Sequence, residues 1–150
     1  MKRAIILIAL VAIVVACGGK KAEKSTTEVN LVENYLALKD ALVATDATKA
    51  QESAVKFLAV NKNENLVASL TVISSSTNVK EQRVAFETLS MQMYDVIKIE
   101  GTDVPLFKQY CPMAFDNKGA FWLAAETEIN NPYFGSMMLH CGSIQETISN

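Results

Sequence analysis

NVKEQRVAFETLSMQMYDVIKIEG, residues 78–101, is the stretch that decides the fold. Asn78 with Glu81 three residues on is a helix start signal, and Gly101 is a stop. Between them Val79, Phe86, Leu89, Met93 and Val96 recur at helical spacing and make one apolar stripe. Met91 and Met93, two residues apart, fall on different sides of that helix, and Met93 reads as core filler. Such a helix is not stable in water until its stripe is covered, so partners must lie elsewhere in the chain.

The residues upstream supply them. Ser25 with Glu28 makes a capping box ahead of Leu31, Tyr35, Leu38 and Leu42. The chain turns around Asp46, and Ala50, Ala54, Phe57 and Leu58 carry a second stripe to the polar break Asn61-Lys62-Asn63. Leu66, Leu70 and Ile73 mark a third helix ending in Ser74-Ser75-Ser76, although the β-branched run Thr71-Val72-Ile73 weakens the signal. Four helices on short connections are expected to form a mainly α, antiparallel bundle.

Downstream of Gly101 the pattern changes. Pro105 bars a helix through Val104–Cys111, which reads as extended, and Asn117-Lys118-Gly119 is a turn signal before Ala120-Phe121-Trp122-Leu123. A β-hairpin across residues 112–119 is expected, followed by a turn-rich remainder containing Asn131-Pro132, Gly135 and Gly142.

At the other end, Met1-Lys2-Arg3 precedes thirteen uncharged residues, Ala4 to Ala16, a length that suits a signal peptide better than a membrane span. The run closes on Val14-Val15-Ala16-Cys17, which resembles a bacterial lipobox; an ordinary secretory signal beside a chance cysteine is the alternative. The expected organisation is a lipoprotein signal peptide over 1–16, a lipidated flexible tether over 17–27 with lipid on Cys17, and a single domain over 28–150. This implies a membrane-anchored protein facing the periplasm, on the outer membrane. Cleavage removes Lys2 and Arg3 from the 14 basic residues, leaving twelve against 16 acidic and a formal charge of −4. With no basic patch beyond the tether lysines, nucleic acid is not an expected partner.

Lipid on Cys17 leaves Cys111 and Cys141 as an even pair in an oxidising compartment. Around them lie Met113, Met137, Met138 and His140, the only histidine. Thiolate and thioether sulfur favour Cu(I), and imidazole suits copper or zinc, so Cys111, Met113, Met138, His140 and Cys141 are candidate metal ligands. An extended backbone would pair Met138 with His140, or Met137 with Cys141, whereas a helical turn would pair Met138 with Cys141. Asp116, Glu126 and Glu128 are hard donors, better placed facing solvent. The competing reading is a Cys111–Cys141 disulfide, closing about thirty residues and contributing roughly 3 to 4 kcal/mol on a loop-entropy basis. Under it no metal is bound, and the methionines and histidine are packing.

Tyr110-Cys111-Pro112-Met113-Ala114, Asn117-Lys118-Gly119-Ala120-Phe121-Trp122-Leu123, Asn131-Pro132-Tyr133-Phe134-Gly135 and Met138-Leu139-His140-Cys141-Gly142 together resemble a bacterial periplasmic lipoprotein domain of unknown function. That domain also occurs fused to the membrane-fusion (adaptor) subunits of heavy-metal efflux pumps. Tyr35–Leu42 and Phe86–Ser90 are similar to its helical segments, and the Cys-Pro-Met element is similar to a Tyr-x-Cys-Pro-Met-His metal-binding motif, with Ala114 where that motif has histidine. The resemblance implies Cys111, Met113, Met138 and Cys141 as ligands, adds His140 as this chain's own candidate, and implies an efflux adaptor as partner. Trp122, Tyr110, Phe121, Tyr133 and Phe134 are either a shield for such a site or simply core. The readings are therefore a tethered Cu(I)-binding protein or a disulfide-closed interaction module. No Gly-rich phosphate loop, HExxH or serine-nucleophile motif supports an enzyme.

Overall fold

The computed structural model describes residues 26–149. The expected signal peptide, Cys17, the expected tether up to residue 25 and Ser25 lie outside the described residues. Four helices come first: α1 (Thr26–Val43), α2 (Ala47–Val60), α3 (Glu64–Ser75) and α4 (Val79–Glu100). Helix α1 therefore takes in Thr26 and Thr27, which the sequence assigns to the tether; a cap at Ser25 would start a helix there.

The starts of α2, α3 and α4 each carry their own signal. Asp46, Asn63 and Asn78 accept hydrogen bonds through their side chains from the backbone N–H of Lys49, Asn65 and Lys80. Gly101, with φ of 86°, ends α4 while its N–H donates to the Ile97 carbonyl. The three-residue connections make each helix pack on the next, as in an up-and-down bundle.

The apolar stripes meet as their spacing predicts. Leu31, Tyr35, Leu38 and Leu42 of α1 are buried with Ala50, Ala54 and Phe57 of α2, Leu66, Leu70 and Ile73 of α3, and Phe86, Leu89, Met93 and Val96 of α4. Each large side chain contributes about 1.5–3 kcal/mol, enough to override the β-branched run in α3. One buried amide links three helices. Gln82 Nε2 donates to the carbonyls of Ala47 (2.8 Å) and Ser76 (2.6 Å), tying α4 to the start of α2 and the end of α3.

A three-stranded antiparallel sheet follows, in the order β2-β1-β3, with β1 (Leu106–Cys111), β2 (Ala120–Ala124) and β3 (Ser143–Ile148). The β1–β2 hairpin is the expected one, with Cys111 opposite Ala120. The third strand was not expected, the sequence here reading only as turns. It is an edge strand with most residues exposed, and a segment exposed on both faces carries no period-two pattern. The sheet packs on α4 through β2. Tyr35 Oη accepts from the Leu123 N–H (3.1 Å) and lies 2.7 Å from Ser90 Oγ, joining α1, β2 and α4 at one buried hydroxyl. Burial raises that phenol far above the ordinary tyrosine range. Opposite, Glu146 of β3 accepts from Tyr94 Oη (2.7 Å) and Lys98 Nζ (2.8 Å), and Lys108 Nζ sits 4.1 Å from the Tyr94 ring centre and 4.3 Å from that of Phe121. Among the described residues, no helix is long and apolar enough to cross a membrane.

Candidate functional site

Strand β1 ends at Cys111, whose side chain is fully buried. Thirty residues later the chain returns, and Cys141 sits half-buried just before β3, its Sγ 3.0 Å from Cys111 Sγ. The two are unbonded thiols in contact. That contact, followed by burial and by the charge of Cys111, holds the Cys141 thiol above its ordinary pKa.

The returning segment is fixed by directional bonds. Residues 129–142 form a loop whose two ends are clasped: the Asn131 N–H donates to the Leu139 carbonyl (2.8 Å) and Asn131 Nδ2 to the Cys141 carbonyl (2.9 Å). His140 Nδ1 lies 2.8 Å from the Ile129 carbonyl. Asn131 is itself fully buried, and its Oδ1 accepts from the Tyr133 N–H, the local turn that asparagine favours. Arg83 of α4 anchors the loop to the bundle. Its Nε donates to the Pro132 carbonyl (2.7 Å) and an Nη to the Leu42 carbonyl at the end of α1 (3.0 Å) and to Thr45 Oγ1 (2.9 Å). Burial lowers the Arg83 pKa, and the guanidinium meets the negative end of the α1 dipole.

Gly142 lets this loop lie down. At φ of 150°, a β-carbon there would stand 3.0 Å from the Tyr110 carbonyl oxygen, 3.1 Å from the Trp122 ring and 3.2 Å from the Ile129 side chain. Trp122, fully buried, meets the Tyr133 ring edge-on at 5.9 Å, and Tyr133 reaches Phe86 and Phe115 at 6.1 and 5.1 Å. Trp122, Tyr133 and Phe86 belong to the hydrophobic core, and Phe115 packs against it. The hairpin loop after Cys111 is strained: Phe115, Asp116 and Asn117 have left-handed φ of 52, 57 and 65°.

The remaining candidate ligands divide. Met138 and Cys141 stand at the two ends of a tight turn, the Cys141 N–H donating to the Met138 carbonyl (3.0 Å). Met138 is half-buried; Met113 is 47% exposed, two residues past Cys111, and Met137 is 78% exposed. Among the described residues, no three His, Cys, Asp or Glu side chains come together in a way that would hold a metal ion, so His140 does not complete a set with the two thiols. His140 is exposed, and its Nδ1 meets the Ile129 carbonyl. Asp116 and Glu128 face solvent as expected, whereas Glu126 pairs with Lys39, a lysine buried on α1, which also lies 3.0 Å from Asp40. Sequence reasoning missed Asn131 and Arg83. The Asn-Pro dipeptide marked a turn, but nothing in a single sequence shows which way a polar side chain points.

Residues 31–104 match a family model described as a protein of unknown function (DUF3347). The match spans the bundle and stops short of β1, so it bears on the helices and not on the cysteine segments. No significant match to a curated protein or to a solved structure was found.

Proposed function

We propose that this chain is a membrane-tethered, extracytoplasmic protein that binds a soft metal ion, Cu(I) by the chemistry of its donors, through Cys111 and Cys141, and takes part in metal homeostasis or efflux. The observation carrying this reading is the unbonded contact of the two sulfurs at 3.0 Å on a surface where one is half-exposed. Two soft thiolates in such a position chelate soft ions well, and Met113 and Met138, flanking them in the chain, supply thioether donors.

The distances permit it. Metal–thiolate bonds of about 2.3 Å in a tetrahedral site put two sulfurs roughly 3.8 Å apart, so the pair must open by about 0.8 Å. The opening falls on the half-exposed Cys141 turn rather than on the strand that carries Cys111. Each thiol must lose its proton to ligate, so loading releases protons. The lipid anchor on Cys17 would confine the site near an efflux adaptor, the partner this reading implies.

The second reading, a disulfide-stapled interaction module of the cell envelope, draws on the same distance. A disulfide at about 2.05 Å requires the sulfurs to close by about 1 Å, a displacement comparable to the metal's. Titration with Cu(I) against a competing chelator decides between them, using reduced full-length protein with Cys17→Ser so that only Cys111 and Cys141 remain. The metal reading requires retention of about one ion, lost when Cys111 and Cys141 are also changed to serine. No retention, or equal retention in the doubly substituted protein, rejects it.

A further inference from the structure

The two sulfurs differ in a way that metal binding does not need. Cys111 is the last residue of a central strand and is fully buried, whereas Cys141 lies half-exposed in a loop. They touch at 3.0 Å, and Asn131, through the Cys141 carbonyl, holds the second beside the first. A reagent arriving from solvent meets Cys141 first, and the product it leaves there is already against the second thiol.

The geometry points to Cys141 as a thiol–disulfide exchange site whose substrate is an exposed disulfide, small or protein-borne, with Cys111 as the resolving thiol. The Cys141 thiolate attacks one sulfur of the incoming disulfide, forming a mixed disulfide and expelling one substrate thiolate. The Cys111 thiolate then attacks Cys141 Sγ, which breaks the mixed bond and expels the second thiolate. The chain's two thiols are oxidised to one disulfide, the substrate disulfide is reduced to two thiols, and the two protons end on the leaving thiolates. This inference rests on the pair itself and not on the metal reading, and its test contains no metal. Where both hold, exchange empties the site, because a disulfide offers no thiolate.

Oxidised glutathione is the probe, with full-length reduced protein carrying Cys17→Ser and mass spectrometry as the readout. The wild-type pair is expected to lose two hydrogens and keep no adduct. Cys111→Ser is expected to hold one glutathione on Cys141, and Cys141→Ser to remain largely unmodified over the same time. A second measurement needs no substitution in the pair: brief alkylation of the reduced protein followed by peptide mapping labels Cys141 ahead of Cys111 by about tenfold or more, since the reagent reaches the half-exposed thiol and not the buried one. Equal or reversed labelling, equal glutathione uptake by the two serine variants, or a stable adduct on the intact pair overturns the proposal.

Discussion

The helical bundle and the sheet with its loops share one apolar core but differ in how far directional bonds set position. In the bundle, stability comes from non-directional burial, Leu38, Leu42, Phe57, Leu66, Leu70, Phe86 and Leu89 among it, and any good apolar fit would serve. In the C-terminal part, individual bonds decide position: Tyr35 to Leu123, Arg83 to Pro132, Gln109 to the carbonyls of Glu126 and Glu128, and Asn131 to Cys141. Burial makes a platform, but directional bonds can hold two sulfurs at a chosen separation. The bundle is therefore the scaffold, and the loops set the position of the two sulfurs.

Breaking the scaffold should have the largest effect. Phe86 stacks on Tyr35 at 5.2 Å and contacts Tyr133, so Phe86→Ala opens a cavity where bundle and site loop meet. A loss of about 3–5 kcal/mol is expected by urea denaturation, with the sheet lost in the same transition as the helices. Separate transitions would show the two regions to be independent.

Breaking the clasp should separate the regions. Asn131→Ala leaves the Cys141 carbonyl and the buried Tyr133 N–H without their partner, at about 1–3 kcal/mol, yet removes no bundle contact. Helix content by circular dichroism should stay at the wild-type level while formation of the Cys111–Cys141 disulfide slows by about tenfold, since a displacement near 1 Å at reacting atoms is costly. Gly142→Ala should act similarly and more weakly, about 1 kcal/mol, because the methyl must push against the Tyr110 carbonyl and the Trp122 ring. An unchanged disulfide rate in both variants would mean that the clasp does not position Cys141.

The smallest effect is electrostatic. Hydrogen bonds from Lys98 and Tyr94 hold the Glu146 carboxyl below its ordinary range, burial opposing them. Because the folded-state pKa is depressed, this contribution is present above about pH 4.3, the unfolded value, and is lost as pH falls through the folded one. Glu146 is half-exposed and its partner Lys98 is exposed, so solvent screens the pair and a modest acid-side drop in melting temperature is expected, shared by every variant except Glu146→Gln. An acid profile unchanged in Glu146→Gln would remove this link between β3 and α4.

The difference between the regions also explains what could be read in advance. Leu31, Tyr35, Phe57, Leu70, Phe86 and Met93 betray themselves by spacing, because burial on a helix has a period. So do the turn at Asp46, the start at Asn78 and the stop at Gly101, which act locally. The hairpin followed from Pro105 and Asn117-Lys118-Gly119. Strand β3 did not, being an exposed edge, and neither did Asn131 or Arg83, whose partners lie 10 and 49 residues away. The cysteines drew attention by type, and the sequence brought Cys111 and Cys141 to the same site. It also placed His140 there, and among the described residues His140 makes no three-residue cluster with the two thiols.

X-ray absorption at the copper edge on Cu(I)-loaded, reduced protein tests the central claim most directly. A first coordination shell of sulfur, lost when Cys111 and Cys141 are both serine, is the predicted result. A shell of nitrogen and oxygen only, or a spectrum unchanged by the double substitution, would contradict it.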